Sequence, residues 1–145
     1  MDTIKEIDPN QVKQQLNALK KKSDLESVEQ LLELANEYRS AYIEIRQKFD
    51  EYWHFFDSLV DKHRYDKTEK GSKKYTYQTD CLGAMRQEYS QEATKMRELD
   101  ILRSKANNLY EMCMDNYRFA RDKMREDKYQ DIEASMVGRE YDQLS

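Results

Sequence analysis

The chain has 145 residues, 38% hydrophobic and 37% charged, with three Gly, one Pro and a formal net charge of -4. A typical globular domain is about 45–50% apolar and about 25% charged, so the core must be thin or shared with a partner. So few turn-forming residues exclude sandwiches, barrels and Rossmann folds, and the mild net charge gives no general pull toward nucleic acid. What remains is an all-α fold of few, long helices in a single domain over 1–145.

Asp8-Pro9-Asn10-Gln11 starts a first helix over about 9–22. Asp8 supplies the cap, Pro9 suits the first helical position, and Gln11 reaches back as in a capping box. Val12, Leu16 and Leu19 share one face, and Lys20-Lys21-Lys22 sets cations at the negative end of the helix dipole. Ser23-Asp24-Leu25-Glu26 reads as a second capping box, opening a helix over about 24–65. Its apolar residues run Val28, Leu31, Ala35, Tyr38, Tyr42, Ile45, Phe49, Tyr52, Phe56, Leu59, then His63. The spacings alternate three and four, the 3.5-residue repeat of a coiled-coil seam or bundle helix. Leu32, Trp53 and Val60 on one side and Phe55 on the other widen the stripe, which favours two neighbours over one. Tyr42, Phe49, Tyr52, Trp53 and Phe56 are expected to organise the core.

Residues 66–78 read as a loop, with a tip around Gly71 that has no apolar residue and is expected to be mobile. Tyr75-Thr76-Tyr77-Gln78 favours β structure but is too short for a strand. Thr79 or Asp80 caps a third helix, predicted over about 79–137 from a looser repeat between Leu82 and Met124. Ser104 and Asn107-Asn108 are weak helix formers, the place for a bend or a break against the alternative of a continuous helix. Gly138 reads as the C-terminal cap and Arg139 to Ser145 as a short frayed tail. The whole is a long antiparallel helical hairpin with a short N-terminal helix, in a bundle or coiled-coil-like arrangement.

Cys81 and Cys113 fall 32 residues apart on the third helix. At 1.5 Å per residue that is about 48 Å, far beyond the roughly 7 Å reach of a disulfide. Two free thiols suit a reducing compartment. The N-terminus is polar, and no stretch approaches the roughly 18 apolar residues of a membrane span. The expectation is a soluble, intracellular (cytoplasmic) protein with no membrane partner.

Glu51-Tyr52-Trp53-His54 is an E-x-x-H step of the kind di-iron bundles use twice. Only one occurs, and Glu51 and His54 fall on the solvent side of the repeat. His63 reads as a satisfied histidine at the end of the core. Asp50, His54, Asp57 and Asp61 line one face, which a solvated polar surface explains as well as a metal does. There is no Gly-rich phosphate loop and no G-x-S-x-G elbow. No catalytic residue, metal site or cofactor is expected, and the chain reads as non-enzymatic.

Two kinds of binding residue remain. Arg64, Lys67, Lys70, Lys73 and Lys74 interleave with Tyr65, Tyr75 and Tyr77, pairing cations for phosphates with rings for bases. A second basic line, Arg118, Arg121, Arg125 and Lys128, is blunted by Asp122, Glu126 and Asp127. The other kind is adaptable apolar surface, since Met112, Met114 and Phe119 fall beside or outside the main stripe. With Trp53 and Tyr117 they are the candidates for a protein-binding face.

The long helix, the basic Tyr-containing loop and the long C-terminal helix with a Cys among apolar residues, together covering Tyr38 to Met136, loosely resemble small all-helical phage recombination mediators. Such proteins load a recombinase onto single-stranded DNA, so the resemblance implies a nucleic-acid accessory role for the loop. The residues themselves put first a non-enzymatic protein-binding role, as adaptor, assembly factor or inhibitor, with a protein partner or a second copy. Single-strand binding through the loop is the alternative.

Overall fold

The computed structural model describes residues 2–144, and the side chains of residues 4–136. The described residues are all-α: α1 (Asp2–Glu6), α2 (Pro9–Lys22), α3 (Leu25–His63), α4 (Gln78–Glu88) and α5 (Ser90–Leu144). Among them no helix is long and apolar enough to cross a membrane. They divide into two compact units, Met1–Lys5 with Ala41–Ala106 and Glu6–Ser40 with Asn107–Ser145.

Local chemistry sets the helix ends. Asp8 caps α2 by accepting from the Asn10 N–H at 3.0 Å, with Pro9 at the first position. Ser23 does not begin the next helix. It takes a left-handed conformation, φ 55°, and closes α2, while the Asp24 carboxylate caps α3 by accepting from the Ser27 N–H at 2.7 Å. A carboxylate next to an N-terminal N–H is the stronger acceptor. The Ser27 side chain first, then this backbone bond, with Lys22 nearby, hold the Asp24 carboxyl below its ordinary range.

The unit with Ala41–Ala106 is a returning helical pair. The Arg103 guanidinium lies 4.2 Å from the centre of the Phe49 ring, and Phe55 meets Tyr89 edge-to-face at 5.3 Å. Rising numbers on α3 therefore meet falling numbers on α4 and α5, the antiparallel sense the hairpin requires. Phe56, Val60, Cys81, Met85 and Met96 form its core, with Phe49, Tyr52 and Leu59 packed against them. Of the five rings and indoles expected to organise the core, Phe56 alone is fully inside. Tyr42, Phe49 and Tyr52 are half-buried, and Trp53 is 51% exposed. One antiparallel neighbour covers a two-residue seam, and the wider flank where Trp53 sits stays open.

The second unit packs α2 with the N-terminal part of α3 and the C-terminal part of α5. Leu16, Leu31, Ala35, Leu109, Cys113 and Ala120 are its most buried side chains. Arg39 stacks on Tyr110, 5.4 Å to the ring centre, and Lys20 on Phe119 at 4.8 Å.

Three further expectations change. The helix predicted from 79 starts at Gln78 and is interrupted at Tyr89, whose φ and ψ are -107° and 57°. The Asp80 carboxylate accepts from the Tyr77 N–H at 3.1 Å, so Tyr77 holds the cap position in place of Thr79 or Asp80. No break occurs at Ser104 to Asn108, which lie inside α5, and the Asn107 amide reaches Glu111 at 3.4 Å. Finally, α5 runs through Gly138 to Leu144 where a cap and a frayed tail were expected. One Gly inside a long helix costs only about 1 kcal/mol.

Candidate functional site

The segment between α3 and α4 is built, not slack. Asp66 accepts from the Lys74 N–H at 3.0 Å, Thr68 donates to the Ser72 carbonyl at 2.8 Å, and Gly71 donates back to Thr68 at 2.9 Å. Lys67 and Lys73 form an antiparallel bridge, and the Thr68 and Ser72 hydroxyls meet at 2.8 Å. The result is a miniature hairpin in which Gly71 takes the left-handed turn position, φ 82°. These bonds close the tip around Gly71. At its base the His63 imidazole Nδ1 pairs with Asp66 at 2.8 Å, anchoring the hairpin to the last turn of α3.

This scaffold collects most of the residues singled out for nucleic acid. Arg64, Tyr65, Lys67, Lys73, Tyr75 and Tyr77 line one depression of about 310 Å³. Tyr65 is 74% and Tyr77 69% exposed, while Tyr75 is half-buried against the core. The Arg64 guanidinium sits 4.5 Å from the Tyr65 ring centre and bonds its hydroxyl, and Lys74 lies 5.6 Å from Tyr75. Lys70 and Lys74 are exposed but do not line the depression. Residues 62–74 carry six Lys or Arg against two carboxylates, a net +4 on a chain of net -4. One of those two, Asp66, pairs its carboxylate with the His63 imidazole, while its backbone carbonyl takes the Lys74 N–H.

The protein-interface candidates are not gathered in this way. Met112, Met114 and Tyr117 are half-buried, Phe119 is 53% exposed under Lys20, and Trp53 belongs to the other unit. The second basic line is partly consumed by neighbours, with Arg118 near Asp115 at 3.9 Å and Arg121 near Asp122 at 3.3 Å. Glu51 and His54 are both exposed on α3. Among the described residues no group of three or more His, Cys, Asp or Glu is placed to hold a metal.

Both cysteines are fully buried free thiols. Burial, with Glu37 adding to it, pushes the Cys113 thiol up to about 11, and burial raises Cys81 as well. Neither is poised as a thiolate nucleophile.

One feature was missed from the sequence. Trp53 is flanked by two cavities, about 260 Å³ and 280 Å³, that share Trp53, Arg86 and Met96. The heptad assignment placed Trp53 beside the seam, and that position was the available signal. No family model, curated protein or solved structure matches the chain.

Proposed function

We propose that the chain is a nucleic-acid accessory protein that holds a single strand at the hairpin between α3 and α4. The observation that carries the reading is the single depression ringed by Arg64, Lys67, Lys73, Tyr65, Tyr75 and Tyr77. Exposed rings beside fixed cations suit bases and phosphates of an unpaired strand, because stacking tolerates any base and cations follow the backbone. Tyr77 is open to stacking, Tyr65 is exposed with Arg64 against its ring, and the closed hairpin limits the ordering cost of capture.

The test is a titration of a labelled single-stranded oligonucleotide at low salt, followed by anisotropy, with a duplex of the same sequence as comparison. Tyr65→Ala and Tyr77→Ala are each expected to weaken single-strand binding by about 1–3 kcal/mol. No binding by the parent protein at low salt, or equal binding of the duplex with both tyrosine variants unchanged, would defeat the reading.

A second reading, non-enzymatic protein binding through helix faces as an adaptor, assembly factor or inhibitor, is supported by the exposed Trp53 between its two cavities. Large exposed apolar residues lining a groove mark contact surfaces more often than scattered single ones.

A further inference from the structure

The groove around Trp53 has walls of opposite sign. Its floor is apolar, formed by Phe56 and Met96. Arg86 and Arg97 stand along the side made by α4 and α5, and Asp57 stands on α3. None of these three charges forms an ion pair among the described residues, whereas Asp100, at the far end, is taken by Arg103.

The same chain carries a stripe that fits. On α5, Tyr129, Ile132 and Met136 are 69%, 44% and 60% exposed, at i, i+3 and i+7. At about 100° per residue, Glu126 and Glu133 fall about 65–90° to one side of this stripe. Lys128 falls about 75° to the other. All three are exposed, and none is ion-paired among the described residues. Arg125, also exposed, lies on the line of the stripe one turn before Tyr129; beyond it, an apolar stripe with two acids on one flank and one base on the other mirrors an apolar groove with two arginines on one wall and one aspartate opposite.

We propose that the groove around Trp53 takes the Tyr129–Ile132–Met136 stripe of a second copy, with Glu126 and Glu133 against Arg86 and Arg97 and Lys128 against Asp57. Groove and stripe are different surfaces, so the copies close as a two-fold dimer where both contacts form reciprocally and otherwise run head-to-tail into a ring or an open chain. The inference rests on the helix-face reading and is independent of the hairpin.

The experiment is sedimentation over a concentration series, read together with the emission of Trp53, the only tryptophan in the chain. The parent is expected to gain mass with concentration while Trp53 emission shifts to the blue. Two variants, R86E/R97E and E126K/E133K, are each expected to stay monomeric. A one-to-one mixture of them is expected to regain both the mass and the shift, since each then offers the other a complementary surface. Circular dichroism checks that both variants keep the parent's helix content. Parent-like mass in either variant alone, or no recovery on mixing, overturns the proposal. A parent that stays monomeric also overturns it. In that case a shift of Trp53 emission on adding a synthetic acid-flanked apolar helix peptide would keep the groove as a surface for another protein. No shift would remove the helix-face reading too.

Discussion

Replacing Lys67, Lys70, Lys73 and Lys74 by Ala removes four of the five cations offered to phosphates by the hairpin and by Arg64 at its base, Lys62 standing on the last turn of α3 outside them. All four lysines are exposed, and the hydrogen bonds that close the hairpin are made by backbone and by Thr68 and Ser72, so the fold should survive. For a single strand, the logarithm of the binding constant falls with the logarithm of salt at a slope of about -0.7 per phosphate neutralised. Five contacts give a slope of about -3.5 and one leaves about -0.7. Raising salt from about 50 to about 200 mM should therefore weaken the parent by roughly 100-fold and the variant by only about 3-fold. Anisotropy of a labelled oligonucleotide across that range reads both slopes directly. A quadruple variant that keeps the parent's slope would refute the assignment, because the phosphates would then lie elsewhere. The basic line on α5 through Arg125 and Lys128 would be the next place to look.

The remaining predictions concern the core. Phe56→Ala should cost about 3–5 kcal/mol, since the ring is 2% exposed and sits at the centre of the apolar cluster. That corresponds to a fall in melting temperature of roughly 6–20 °C. Phe49→Ala should cost clearly less, because the ring is half-buried under Arg103, and equal losses would contradict the packing described. Cys113 makes a pH prediction. Its folded thiol titrates near 11 against an ordinary 9.0, so the unfolded chain ionises first. The stabilisation is whole below about pH 9 and is lost as pH climbs through 11, at most about 2–3 kcal/mol. Denaturant melts of the parent and Cys113→Ala over that range should converge. Parallel curves would mean that Cys113 does not ionise differently in the two states.

The helices were legible because their signals are local and redundant. The repeat from Val28 to Leu59 survives any single misreading, and Asp8-Pro9 marks a helix start by covalent geometry alone. What was not legible depended on neighbours distant in sequence. Trp53 and Phe56 are both apolar residues on one stripe, and only the line of the returning helix decides which of them is covered. Tyr89 breaks the helix where its ring is engaged by Phe55, a contact 34 residues away that no propensity encodes. Gly138 passes unnoticed inside α5 because a single glycine cannot end a helix without a partner for the freed carbonyls.

The candidate site was half legible, for a related reason. Composition identifies cations and tyrosines in the loop, but it weighs every charge alike. In the fold the Asp66 carboxylate pairs with His63 at the base of the hairpin, while the lysines around it stay in solvent. The α5 basic line shows the opposite outcome, with Arg118 and Arg121 held by neighbouring aspartates. Two segments with similar counts of cations therefore present different fields. That difference, set by which cations the neighbouring acids pair with, moves the weight from the helix surface to the hairpin.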